Sequence, residues 1–152
     1  MSLWSTELNN LKIETAKTVH LKESVSKCVQ LMREETLSCI LVVNDQDELK
    51  GIFTEREFMN ACVDTNLPDD LEVSTVMKRP AISLSPTNSL QDALDIMGKE
   101  KLRYLTIVNQ NKKIEGILPV SSILEYMVEF FPKALLNIAP NTLLHSTNKE
   151  GG

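Results

Sequence analysis

Apolar positions along the chain alternate between helical spacing and short continuous runs, and they do so twice in the same order. Val25, Cys28, Val29 and Met32 fall at i, i+3, i+4 and i+7, the template of a helix with one buried face. Leu90, Ala93, Leu94 and Met97 repeat that template 65 positions later. Ser24 and Ser89 precede the two runs, each a residue type whose side-chain oxygen can cap a helix N-terminus. Ile40-Leu-Val-Val43 is continuous rather than alternating, the pattern of a strand covered on both faces. Asn44 to Glu48 reads as a polar turn, and Leu49 to Thr54 as the returning strand of a hairpin. Leu105 to Val108 and Ile114 to Leu118 rebuild that hairpin, with Gly116 standing 65 positions after Gly51 and Asn109 the same distance after Asn44.

The remaining elements complete the repeat. Trp4, Leu8 and Leu11 at i, i+4 and i+7 predict a short amphipathic helix over residues 2 to 14. Lys17 to Leu21 suits a short strand, and a helix is expected from Glu55 to about Val63 with Phe58 and Cys62 on one face. Thr65 to Asp70 has turn chemistry and reads as a connector. Val73 to Met77 predicts a helical turn, Ala81 to Leu84 a strand, and Ser121 to Phe131 the last helix. Each half is thus strand, helix, hairpin, helix in about 50 residues, too little to bury an independent core. Two copies at one spacing predict an α/β (α+β) fold of two β-α-β-β-α units, packed face to face by pseudo-twofold symmetry around a shared groove. The expected divisions are an N-terminal helix over 1–16, a first unit over 17–66, a linker and second unit over 67–132, and a partly disordered tail over 133–152.

Composition narrows the class. Apolar residues make up 42% of the 152 positions and charged residues 24%, which suits an ordered globular protein. A formal charge of −5 without a long basic run argues against nucleic acid as a partner. No apolar run approaches the roughly 18 to 20 residues of a membrane span. Met1-Ser-Leu-Trp-Ser-Thr-Glu7 lacks a basic segment leading into an apolar one, so a cytoplasmic location is expected. Cys28, Cys39 and Cys62 are odd in number and widely spaced, and read as buried reduced thiols rather than a metal or redox site.

Other chemistry falls away. Asp45, Asp47 and Glu48 resemble a calcium loop only superficially, because Leu49 stands where an oxygen ligand is needed. His20 and His145 lie 125 residues apart with no acid or nucleophile at motif spacing, and no Gly-rich phosphate loop occurs. Nothing in the sequence supports catalysis.

Val76-Met-Lys-Arg-Pro80, the paired Ser-capped helices, the elements Leu41 to Phe53 and Thr106 to Leu118, and above all Gly51-Ile-Phe-Thr-Glu-Arg-Glu57 together resemble the CBS-domain pair, or Bateman module, over roughly residues 11 to 131. The last stretch looks like the family's Gly-hydrophobic-x-Thr/Ser-x-x-Asp signature, with Glu57 at the acidic position. The resemblance implies a regulatory module that requires no cofactor. Its clefts would bind AMP, ADP, ATP, S-adenosylmethionine or NAD. It further implies a homodimer formed through the CBS helices and a regulated partner protein of unknown identity.

On that resemblance Thr54 and Glu57 are the ribose-facing pair. A carboxylate can accept from two vicinal hydroxyls while a nearby hydroxyl completes the network, and free N–H groups at a helix start favour phosphate. Thr-x-x-Glu opening a helix is equally a capping box, and both readings stand at this point. The matching positions in the second unit are Pro119 and Ser122, which lack the hydroxyl and the carboxylate, so the second cleft is expected to be empty, weak or differently built. Arg56 and Arg103 are the first choices for phosphate, with Lys78 and Arg79 next. Thr18, Ile82, Cys39 and Ile40 are the expected adenine-pocket lining. The rival reading is an interaction or scaffold protein that keeps the fold without nucleotide, with the apolar 121–138 segment as a partner surface.

Overall fold

Ser24 and Ser89 cap their helices as their positions predict. In the computed structural model, which describes residues 2–64 and 66–130, the Ser24 hydroxyl accepts from the Lys27 N–H at 3.0 Å and the Ser89 hydroxyl from the Asp92 N–H at 3.1 Å. Asp92 accepts in return from the Ser89 N–H at 3.0 Å, closing a capping box. The first unit runs β1 (Thr18–His20), α1 (Val25–Glu34), β2 (Cys39–Val43), β3 (Leu49–Thr54) and α2 (Glu55–Asp64). The second repeats the order as β4 (Ser83–Leu84), α3 (Leu90–Glu100), β5 (Tyr104–Val108), β6 (Ile114–Pro119) and α4 (Val120–Phe130).

Each unit is a three-stranded sheet with its middle strand parallel to the first and antiparallel to the last, in the orders β1-β2-β3 and β4-β5-β6. The registers correspond, Leu41 facing Ile52 and Thr106 facing Ile117, and both hairpins shift register after Val42 and Ile107 respectively. The repeated asparagines build the turns. Asn44 Oδ1 accepts from the N–H groups of Gln46 and Glu48, and Asn109 Oδ1 from those of Asn111 and Lys113. The fold is α+β, two β-α-β-β-α units related by a 65-residue offset.

Residues 2 to 14 do not form the predicted amphipathic helix. They make two single 3-10 turns, Leu3–Ser5 and Leu8–Asn10, joined by extended chain. The reason is that several of their backbone groups bond to the second unit, leaving only the local bonds of the two turns. Leu8 N–H donates to the Asn88 carbonyl at 2.9 Å, Leu90 N–H to the Thr6 carbonyl at 2.8 Å, and Glu14 and Ile117 exchange two bonds of 2.9 Å. This spacing buries Leu3, Leu8 and Leu11 and leaves Trp4 43% exposed, so Leu3 replaces Trp4 on the buried side.

Residues 71–78 do the same for the first unit. Val25 N–H donates to the Leu71 carbonyl at 2.8 Å, Val73 N–H to the Glu23 carbonyl at 2.7 Å, and Ile52 and Lys78 exchange bonds of 3.0 and 2.9 Å. The expected helical turn here is a 3-10 turn, Val73–Thr75. Both straps cross a hairpin at its glycine. A Cβ on Gly51 would lie 2.9 Å from the Lys78 carbonyl oxygen, and one on Gly116, whose φ is +156°, would overlap the Glu14 carbonyl oxygen.

Three apolar clusters follow. Leu3, Leu8 and Leu11 join Leu90, Ala93, Leu105, Ile107 and Leu118 in the second unit, while Val73 and Met77 join Val25, Cys28, Ile40 and Phe53 in the first. Between the sheets, Cys39, Leu41 and Ile117 pack with Ile52 and Tyr104. Cys28 and Cys39 are buried, but Cys62 is exposed, against the expectation of three buried thiols. Burial falls away along α2, from Glu57 inside and Phe58 half-buried to Cys62 and Val63 in the open. The tail expected over 133–152, and the part of the 121–138 segment beyond Phe130, lie outside the described residues. Among the described residues no helix is long and apolar enough to cross a membrane.

Candidate functional site

The turn from β3 into α2 places Thr54 and Glu57 side by side. Thr54 donates both its N–H, at 3.0 Å, and its hydroxyl, at 2.5 Å, to Glu57 Oε1. The Thr54 hydroxyl accepts from the Arg56 N–H at 3.2 Å. Thr54 and Glu57 therefore cap α2, one of the two arrangements their spacing allows. Both also line a cavity of about 590 Å³ at the junction of the units, a size usual for small-molecule sites. Glu57 is 8% exposed, and its second oxygen, Oε2, accepts no bond among the described residues. Capping thus occupies one carboxylate oxygen and leaves the other for the cavity.

The cavity draws Ile52, Thr54 and Glu57 from the first unit, Ile82, Arg103, Tyr104 and Thr106 from the second, and Lys78 from the strap between them. Its charged lining is Arg56, Lys78, Lys101 and Arg103 against Glu55 and Glu57. The ion pairs among the described residues are Lys17–Glu35 and His20–Asp45, so none of the four cavity cations is paired. A chain of net charge −5 thereby concentrates positive charge at one concave place.

Of the residues singled out from the sequence, Thr54, Arg56, Glu57, Ile82 and Arg103 meet at this cavity, together with Lys78 but not Arg79. Thr18, Cys39, Ile40 and Ser122 do not line it. Thr18 lies exposed on β1. Strand alternation turns Ile40 into the first unit's own core and Cys39 toward the other sheet. Burial, with the Glu14 carboxylate adding to it, pushes the Cys39 thiol up to about 12, as befits a packing residue. Ser122 is buried near the start of α4.

Sequence reasoning missed Ile52, Lys101, Tyr104 and Thr106. The 65-residue offset held the signal for Thr106, a polar residue at the position equivalent to the apolar Leu41 of the first unit. The same offset separates the lining of the cavity from its counterparts in the repeat. Tyr104, Thr106 and Ile52 line the cavity, whereas their counterparts Cys39, Leu41 and Ile117 are buried in the apolar cluster between the sheets and do not line it. Among the described residues no group of histidine, cysteine and acidic side chains is placed to hold a metal ion.

Comparison with known proteins bears on both units. The family model for the CBS domain matches residues 12–64 and again 73–129. The chain belongs to the CBS-domain family. An uncharacterized protein of Methanopyrus kandleri is 30% identical over 104 residues, 68% of this chain, and the match spans only 53% of that relative's length. The CBS domain protein PAE2072 from Pyrobaculum aerophilum, solved in complex with AMP, superposes with a TM-score of 0.72 at 15% identity, over 89% of this chain and 99% of that one. The CBS domain pair of protein MJ0100, solved with 5′-methylthioadenosine and S-adenosyl-L-methionine, gives 0.71 at 16% identity, over 80% and 99%. At such identities the two structures speak to the fold, which is that of a CBS pair.

Proposed function

We propose that this CBS pair is a regulatory module that binds one adenosine-containing nucleotide in the cavity beside Thr54. The observation that carries the reading is the meeting of the Thr54–Glu57 pair with four cations, none ion-paired among the described residues, in one cavity between the units. Glu57 Oε2 is free to accept from a ribose hydroxyl. Arg56, Arg103, Lys78 and Lys101 supply charge for phosphate, helped by the N-terminus of α2. Ile52, Ile82 and Tyr104 offer an apolar slot for the base. The adenosine ligands bound by PAE2072 and by the MJ0100 pair support this choice of class. The burial of Cys39, Leu41 and Ile117 at the counterpart positions supports one ligand per chain.

Because both units contribute to the cavity, a bound nucleotide favours one relative arrangement of them, by no more than its differential affinity for the two. The output passes through a homodimer formed by α2 and α4, whose Met59, Val63, Leu124, Val128 and Phe130 are exposed large apolar residues. Calorimetric titration with AMP, ADP, ATP, S-adenosylmethionine and NAD tests the ligand reading. Saturable one-per-chain binding of at least one is expected. No heat from any at millimolar concentration would leave a protein-interaction module in its place.

A further inference from the structure

Thr106 is a polar residue that lines the cavity and is 2% exposed. Its hydroxyl makes no hydrogen bond among the described residues, yet no buried side-chain oxygen or nitrogen there is sealed off without a partner. The hydroxyl therefore opens onto the cavity it lines. Position 106 does not itself require a hydroxyl. β5 is the middle strand, with Thr106 facing Ser83 on one side and Ile117 on the other, and valine would give the same branched shape with no polar group to desolvate. The counterpart at this place in the first unit is Leu41, wholly buried among apolar neighbours.

The surroundings fix what the hydroxyl would meet. Arg56, Lys101 and Arg103 are exposed at the rim, so phosphate belongs at the mouth. Glu57 and Thr106 are the buried polar residues of the lining. Ile52, Ile82 and Tyr104 are the partly buried apolar lining, and the base is left for them and for the buried Thr106. We propose that the Thr106 hydroxyl reads the polar edge of the bound base, its oxygen accepting from the exocyclic amino group of adenine, which makes it a specificity-determining residue. This rests on the nucleotide reading above.

A cycle that changes protein and ligand together tests it. AMP and purine riboside 5′-monophosphate, which lacks the amino group, are titrated into the wild-type protein, Thr106→Val and Thr106→Ser. The wild type is expected to prefer AMP by about 3- to 10-fold, the effect of one neutral hydrogen bond. Thr106→Ser keeps the preference. Thr106→Val loses it while melting no lower than wild type without ligand. Equal affinity of the wild type for both ligands, or a preference surviving in Thr106→Val, would overturn the contact and leave nucleotide binding intact. Binding of neither ligand by the wild type would overturn the contact and, with the other nucleotides also failing, the nucleotide reading itself.

Discussion

Thr54 and Glu57 are joined through a single carboxylate oxygen, which takes both the threonine N–H and its hydroxyl. Cap and candidate ligand site are the same pair of side chains, so the nucleotide reading requires stability and affinity to change together when it is cut. Thr54→Ala removes the acceptor of the Arg56 N–H and is expected to lower stability by about 1 kcal/mol. AMP affinity should fall by about tenfold, as contacts to a charged partner are lost. Thr54→Ser should restore both, by thermal melting and by calorimetry. A stability loss with unchanged affinity would make the pair a cap only.

Gly51 and Gly116 stand where the straps cross the hairpins. Alanine at 116 meets the Glu14 carbonyl at a φ that side chains rarely adopt, and is expected to cost about 3 kcal/mol. Gly51→Ala is milder, because the flexible Met77 side chain can yield before the Lys78 carbonyl must. Urea unfolding of the two variants should rank them in that order.

Thiol reactivity should single out Cys62. Burial raises the Cys28 thiol to about 11 and the Cys39 thiol to about 12, with the Glu23 and Glu14 carboxylates respectively adding to the shift. A thiolate is the reactive form, so at pH 8 an alkylating reagent is expected to modify the exposed Cys62 first, as read by peptide mass spectrometry. Cys28 and Cys39 should react only near those high pH values or on unfolding.

The capping box of α3 gives a pH signature. The Ser89 N–H and hydroxyl and the Asn88 amide all hold the Asp92 carboxyl below its ordinary value. Its contribution is therefore present above the carboxyl range of the unfolded chain, about pH 4, and is lost as pH falls through the lower folded value. Melting curves of wild type and Asp92→Asn should differ at neutral pH and converge in acid. Ser89→Ala should cost about 1 kcal/mol at neutral pH.

Val63 is 85% exposed on α2 and Leu124 57% exposed on α4. If these helices join two copies, Val63→Asp with Leu124→Glu should convert a dimer to a monomer in light scattering without lowering the melting temperature of the monomer. An unchanged mass would separate these faces from self-association.

The periodicity made most of the scaffold legible. Ser24 and Ser89, the paired hairpins and the glycine spacing all act locally or along one strand, where a pattern of two or 3.6 is informative. The sequence misled at Trp4 and at Cys62, where a helical phase was present but tertiary backbone bonds or an uncovered helix end decided burial. At the site, the Thr54-x-x-Glu57 motif was visible because both members lie within one turn. Tyr104, Lys101 and Thr106 come to it from the other unit, and no local pattern carries that juxtaposition. Ile40 and Cys39 show the converse, since a continuous apolar strand does not declare which residue faces which sheet.

The two straps make the chain's order and its architecture run out of step. The piece that closes the second unit is synthesised first, and the piece that closes the first unit follows the connector. A protease cut near residue 65 would leave an N-terminal fragment holding Leu3, Leu8 and Leu11 with no core to enter, and a C-terminal fragment carrying Val73 and Met77 likewise stranded. The smallest portable module, for grafting onto another protein, is accordingly the whole span from the first strap through α4, and neither CBS repeat is a separable part.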